Sequence, residues 1–511
     1  MFRSVVRAAV VAMGLLGSAA PLHAQGYQIR WDNWFQSTAY RGVSLDSIPA
    51  GDAVIGDGGG TYSPDGLAVR CLNGAAYCTY FGLGPETRAA PVVSTLDASV
   101  WGFGVPGLKL HVKGRLGTDL TDTGFWPGTS PAAQLLEGYA EYSNALLTVQ
   151  AGRTNVYSRL GFWGLDGGQV TVRPLNGKLR VSAYGGWALA EAAVLPITST
   201  DLNPLGEYRP DQREMIVGGS AGWSIPAFEG TVLYQRLILP DDGGDLTTSD
   251  RGALEAAVRP GGGFTLAGGA EYDFGQGLFG THNVQATFQD PGNWVRVVAG
   301  QRRYRPIFPL WSIWGVFSPS AHDTWFGAVS LHPIPGLEVR ARGESYSYDT
   351  GNGEGSGASP LLEAEDSGWR WSVGGTYAAL RLLTLDATYS ADHGPGASSQ
   401  GVNGRITVTP LQRLTVAVHG GYLERPLEYR YWDAKVTSYG ARVDFQPFEG
   451  ITANAGVIRY DETRERPDEG GAEWDHVRFT AGLTFVFGSA GHRSRGLHPA
   501  ILRVPEMRRS R

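Results

Sequence analysis

Lys109, His111, Lys113 and Arg115 occupy every second position of one segment, and Glu338, Arg340, Arg342 and Glu344 do the same in another. Residues two apart share a face of a β-strand, so each set forms one charged row. A charged row on the wall of a pore selects the ions that move past it. Arg173, Arg296, Arg302, Arg370, Arg405 and Arg442 stand in similar alternating contexts, as do the acids Glu137, Glu141, Glu255, Glu271 and Asp386. Two readings stay open: a wet wall of mutually paired charges, or a basic constriction that steers anions. The row at Lys109–Arg115 and the cluster of Arg302, Arg303 and Arg305 motivate the second.

Covalent chemistry has less to work with. The ten histidines give no spacing that builds a catalytic triad. His322-Asp323, Asp392-His393 and Asp475-His476 are adjacent pairs, whose side chains point to opposite faces of a strand. The Gly-rich stretch Gly351–Ser359 lacks the Lys-Ser/Thr of a phosphate loop, and the acids of Glu354–Asp366 follow no calcium-loop spacing. The only cysteines, Cys71 and Cys78, close a short loop, which in an exported chain predicts a disulfide. Neither begins a C-x-x-C-H, so the chain attaches no c-type haem itself. Catalytic residues, metal ligands and cofactors are not expected.

Strands are the elements that must position these charges. In Trp474–Phe487, Val477, Phe479, Ala481, Leu483, Phe485 and Phe487 share one face, while Arg478, Thr480, Gly482 and Thr484 share the other. The same alternation recurs along the chain, for example with Leu108, Leu110, Val112 and Leu116 opposite the basic row. Beyond residue 24 no apolar run reaches the 18 residues of a spanning helix. A chain that crosses a bilayer on strands must close its sheet. Ten short turns, eight of them punctuated by Pro, alternate with longer stretches such as Ala190–Gln212. Together they predict an all-β transmembrane antiparallel barrel of about 22 strands over 25–487, with short periplasmic turns and long outer loops. Trp223, Trp294, Trp325, Trp369, Trp371 and Tyr389 fall where interfacial aromatic girdles belong. The face of Thr231–Leu239 cannot be assigned from its pattern.

Residues 1–24 read as a signal peptide: Arg3 and Arg7, then apolar Ala8–Ala20, then Leu22-His23-Ala24 before the cleavage point. Export of a barrel implies the outer membrane of a two-membrane, Gram-negative-type cell. Residues 41–90 are expected to form a long polar extracellular loop, stapled by the cysteines. The insert Arg305–Ala321 is apolar for a loop; Phe308, Trp311, Trp314 and Phe317 are candidates for an inward constriction or a partner contact. Residues 488–511 carry six arginines against one acid and no periodicity, so a basic, disordered periplasmic tail is expected. The whole chain has a net charge of −6 in spite of that basic tail, which argues against nucleic acid as the main partner.

The stretch Leu135–Gly168, with its strand–turn–strand, Gly-Arg and Leu-Asp-Gly-Gly elements, resembles porin-like barrels of the alginate-export type. A looser resemblance, resting on strand count, no room for a plug before the first strand, and an N-terminal cysteine pair, is to the barrels of porin–cytochrome electron conduits. The first resemblance implies a pore fold. The second implies a sheath around a multihaem cytochrome. The expected function is passive passage of small polar or anionic solutes, with outer-membrane lipid as surroundings; the alternative is a sheath that holds a periplasmic or haem-bearing partner. Thiol-reactive labels introduced at Ile225 or Pro447, both in predicted periplasmic turns, should stay unreacted when an impermeant maleimide is added to intact cells. Labelling from outside would invert the assignment.

Overall fold

The computed structural model describes residues 26–489 apart from 56–59, 65–67, 73, 122–131, 190–212, 241–245, 306–320, 350–365, 380–381, 395–396, 425–433 and 464–473. Of the twenty-four strands in the main sheet, Arg70–Cys71 and Tyr77–Ala89 belong to an extension of the first strand; the other twenty-two form a closed antiparallel ring. The ring closes on its first strand, Gly26–Pro49. That strand pairs with Trp474–Gly488 on one side, from Gln28 opposite Gly488 to Ser37 opposite Phe479. On its other side it pairs with Pro91–Trp101, from Gly26 opposite Trp101 to Phe35 opposite Val92. The ten short connections, eight of them at the Pro-containing turns, all fall at one rim.

Alternation sorts the residues as the pattern implies. Leu110, Val112 and Leu116 are exposed on the outside of the ring, while His111 between them is buried on the inside. Trp223 and Phe264 stand at the short-turn end of their strands, and Trp325, Trp369 and Trp371 toward the opposite end; all five are exposed on the outer surface, while Trp294 is exposed in the turn before Val295. Two aromatic belts at the ends of an apolar band are the signature of a barrel that faces lipid.

Residues 41–90 depart from the expected loop. The first strand continues past the ring, and Thr38–Pro49 pairs with Tyr77–Ala89 in a two-stranded ribbon. Twelve residues at ~3.4 Å each make it about 40 Å long. Cys71 and Cys78 stand directly opposite each other and are joined by a disulfide, with their Cα atoms 4.2 Å apart. The ribbon escapes a sequence reading because a free ribbon has solvent on both faces and needs no apolar/polar alternation. Phe308, Trp311, Trp314 and Phe317, the segment 1–25 and the tail beyond Ser489 lie outside the described residues.

Candidate functional site

Strand register brings the charges sought in the sequence onto one surface, the face opposite the exposed apolar side chains. Between Val295–Tyr304 and Ala397–Leu411, six neighbouring strands place Arg296, Arg302, Arg340, Arg342, Arg370 and Arg405 on this inner face, against Glu338, Glu344, Asp386 and Asp392. Successive inner-face rows each carry an arginine. Arg340 shares a row with Arg296 through Ser330, Arg342 lies in the next row beside Ala328, Arg370 follows beside Glu344, and Arg302 comes last beside Thr324. The result is a ladder of guanidinium groups along the wall.

Its centre is Glu344, whose side chain is only 2% exposed. Arg302 donates to its Oε2 at 3.0 Å, Arg342 donates to Oε1, and Arg370 approaches Oε2 at 3.5 Å. Three cations thus share one carboxylate. Arg302 and Arg342 lie 5.8 and 5.9 Å from the ring centre of Phe326, and Arg370 lies 4.8 Å from that of Tyr346. These are cation–π separations, and they hold the planar groups in fixed orientations. The Tyr346 hydroxyl donates to Asp392 at 3.0 Å, and Arg340 donates to Asp386 at 2.7 Å. Arg302, Arg342 and Arg370 are each more than a third exposed, so they remain open to the lumen even while they are paired.

The N-terminal basic row has a different character. His111 sits between Ser99, 2.9 Å from its Nδ1, and Glu137, 3.3 Å from its Nε2. Lys113 reaches the same Glu137 at 3.5 Å, and Lys109 lies beside the ring of Tyr139. Arg115 pairs in register with Thr95 and Gln134. The two walls differ: charges are paired at Lys109–Arg115, while six arginines face four acids between Arg296 and Arg405. Arg173 stands at the turn end of its strand and donates to Thr148 at 2.8 Å. Glu338 shares the face of Arg340 two residues away.

The run of Arg302, Arg303 and Arg305 does not act as one cluster. Arg303 points to the other face, where it pairs with Asp323 at 2.7 Å and Asp349 at 2.6 Å; alternation within one strand splits the pair. Sequence reading also missed Asp392 and Tyr346, which become relevant only through register, and Arg159. Arg159 lies in the two-residue turn between strands Leu147–Ser158 and Gly161–Val172. It meets Asn283 at 2.8 Å and Glu271 at 3.4 Å, both more than a hundred residues away.

No protein-family model matches the chain, and no curated protein matches it in sequence. Solved structures with a similar course include the siderophore receptor PirA from Pseudomonas aeruginosa, at 10% identity and TM-score 0.50, covering 90% of this chain and 80% of that one. The ferric citrate transporter FecA is similar at 10% identity and TM-score 0.46, covering 91% and 79%. A BenF-like porin from Pseudomonas fluorescens follows at 11% identity and TM-score 0.38, covering 90% and 99%. The likeness to PirA is one of fold. The chain has the fold of a large, closed outer-membrane β-barrel.

Glu344→Ala leaves three guanidinium groups around an empty site. Breaking a buried pair from one side costs roughly 3–5 kcal/mol, so this variant should unfold at clearly lower temperature in detergent, followed by circular dichroism. Arg442→Ala loses a pair with Asp444 in which the arginine side chain is 52% exposed. It should cost about 1 kcal/mol or less. Equal losses in the two variants would contradict this account of Glu344.

Proposed function

We propose that this chain is an outer-membrane channel through which small polar or anionic solutes pass down their gradients. The apolar outer band and its two aromatic belts support placement in a bilayer, with the ten short turns on the periplasmic side. The observation that carries the solute class is the arginine ladder. Four successive rows offer guanidinium groups, and Arg302, Arg342 and Arg370 share a single carboxylate at the centre. Guanidinium groups bind carboxylates and phosphates through paired hydrogen bonds. A ladder of them in a lumen lowers the barrier for an anion at each step while leaving no single site deep enough to trap it.

Selectivity in this reading is electrostatic and requires no chemical step. The charges of the Lys109–Arg115 quadrant are largely matched by Asp97, Glu137 and Glu141, so that wall is wet but locally compensated. The bias toward anions comes from the other wall.

The test is uptake into proteoliposomes of three solutes of equal size: gluconate, glucose and glucosamine. Wild-type protein should pass gluconate fastest and glucosamine slowest. Replacing Arg340, Arg342 and Arg370 together by glutamine should cut the gluconate preference several-fold without abolishing glucose uptake. Equal rates for all three solutes in the wild type would count against the reading. A Soret band from a cytochrome co-purifying in fixed ratio would instead favour a sheath around a haem-bearing partner.

A further inference from the structure

The hairpin Leu147–Ser158/Gly161–Val172 reaches strands that are far from it in the ring. At its tip, Arg159 donates to Asn283 Oδ1 at 2.8 Å and lies 3.4 Å from Glu271 and 4.0 Å from Glu255. Arg251 donates to the carbonyl of the next residue, Leu160, at 2.8 Å. Three whole strands, Leu179–Ala188, Met215–Ile225 and Phe228–Leu239, stand in the ring between the hairpin and these partners. The tip can span them only by lying across their inner faces.

Two further observations fit this course. Val156, Trp163 and Leu165 of the hairpin bury themselves against Ile216 and Leu237, forming a buried apolar cluster on a largely polar inner face. Where the hairpin must leave the wall, Gly152, Gly167 and Gly186 lie side by side in one row. Gly152 has φ +128°, and a Cβ on Gly167 would stand 2.1 Å from the carbonyl oxygen of Gly185. A row without side chains lets neighbouring backbones fold this closely. These glycines include the Gly-Arg and Leu-Asp-Gly-Gly elements of the sequence. Beneath the hairpin lies a polar cavity of about 550 Å³, bordered by Gln150, Gln169, Thr171, Ser182 and Tyr184.

We infer that this hairpin is a resident constriction, a strut across the lumen pinned by Arg159 in the Glu271–Asn283 socket, and that it sets the size of solute the channel passes. The inference rests on the channel reading but not on its anion preference. Arg159 acts here as a positioning residue: it holds the strut, and the strut narrows the path.

The test is permeation of polyethylene glycols of graded size through proteoliposomes that contain wild-type or Arg159→Ala protein, each checked for the heat-modifiable migration of a folded barrel. The variant should admit larger polymers, with at least a threefold gain in rate for the largest one that the wild type barely passes. A second protein, Arg159→Cys with Asn283→Cys, joined by a short bis-maleimide, should return to the wild-type cut-off when linked and show the wider one when unlinked. A folded Arg159→Ala protein with an unchanged cut-off overturns the constriction alone. Absence of permeation through every form overturns the channel reading and the constriction with it.

Discussion

A backbone N–H or C=O left unpaired in hydrocarbon costs several kcal/mol, and a spanning sheet has no water to satisfy its edges. The ladder between Gln28–Ser37 and Phe479–Gly488 is the interaction that meets this demand, because it joins the last strand to the first. Much else follows from it. Closure of an antiparallel ring fixes an even number of strands and places both ends of the ring at one rim. It also gives each strand an outer face for lipid and an inner face for water, so alternation becomes a physical requirement along the wall. Asp32 marks the seam on the inside: it accepts from Thr484 across the closing ladder at 2.7 Å and pairs with Arg30 at 2.6 Å.

Inside such a ring, charges are cheap to place, since water reaches them, and expensive to bury without partners. The inner wall shows both regimes. Arg342 and Arg370 remain about half exposed and keep freedom to meet a solute, while Glu344 is buried by the three arginines that compensate it. The carboxylate organises the ladder; the guanidinium groups are what the lumen sees. The hairpin at Leu147–Val172 solves a different problem. A ring of twenty-two strands is wide, and a wide lumen leaks. Folding one hairpin inward narrows the lumen with wall material already present, at the cost of burying apolar side chains where a polar face is otherwise expected.

Fold class and strand count were legible because their signals are local. Pro and Gly at tight turns, period-two alternation and terminal aromatics each need only a few residues of context. The candidate wall was legible for the same reason, since Arg340 and Arg342 declare their shared face by spacing alone. What escaped depends on distant register. Nothing near Glu344 announces that Arg302 and Arg370 converge on it from strands on either side. Arg302 and Arg303 looked like one cluster until alternation separated them. Thr231–Leu239 defied assignment because Leu233 and Leu237 share the inner face with Thr231 and Gln235, and Leu237 is covered by the inward hairpin. The ribbon strands within 41–90 are illegible as strands because neither of their faces is obliged to be apolar.

The central claim is an open lumen whose fixed charges favour anions. Reversal potential across a planar bilayer tests it most directly: the pure, colourless protein is reconstituted with a tenfold potassium chloride gradient, and the voltage of zero current is read. The account predicts discrete conductance steps and a reversal potential of the sign set by chloride moving faster than potassium. Conductance with the opposite sign would contradict the role given to the arginine wall, and a pure, folded protein that never conducts would contradict the channel itself.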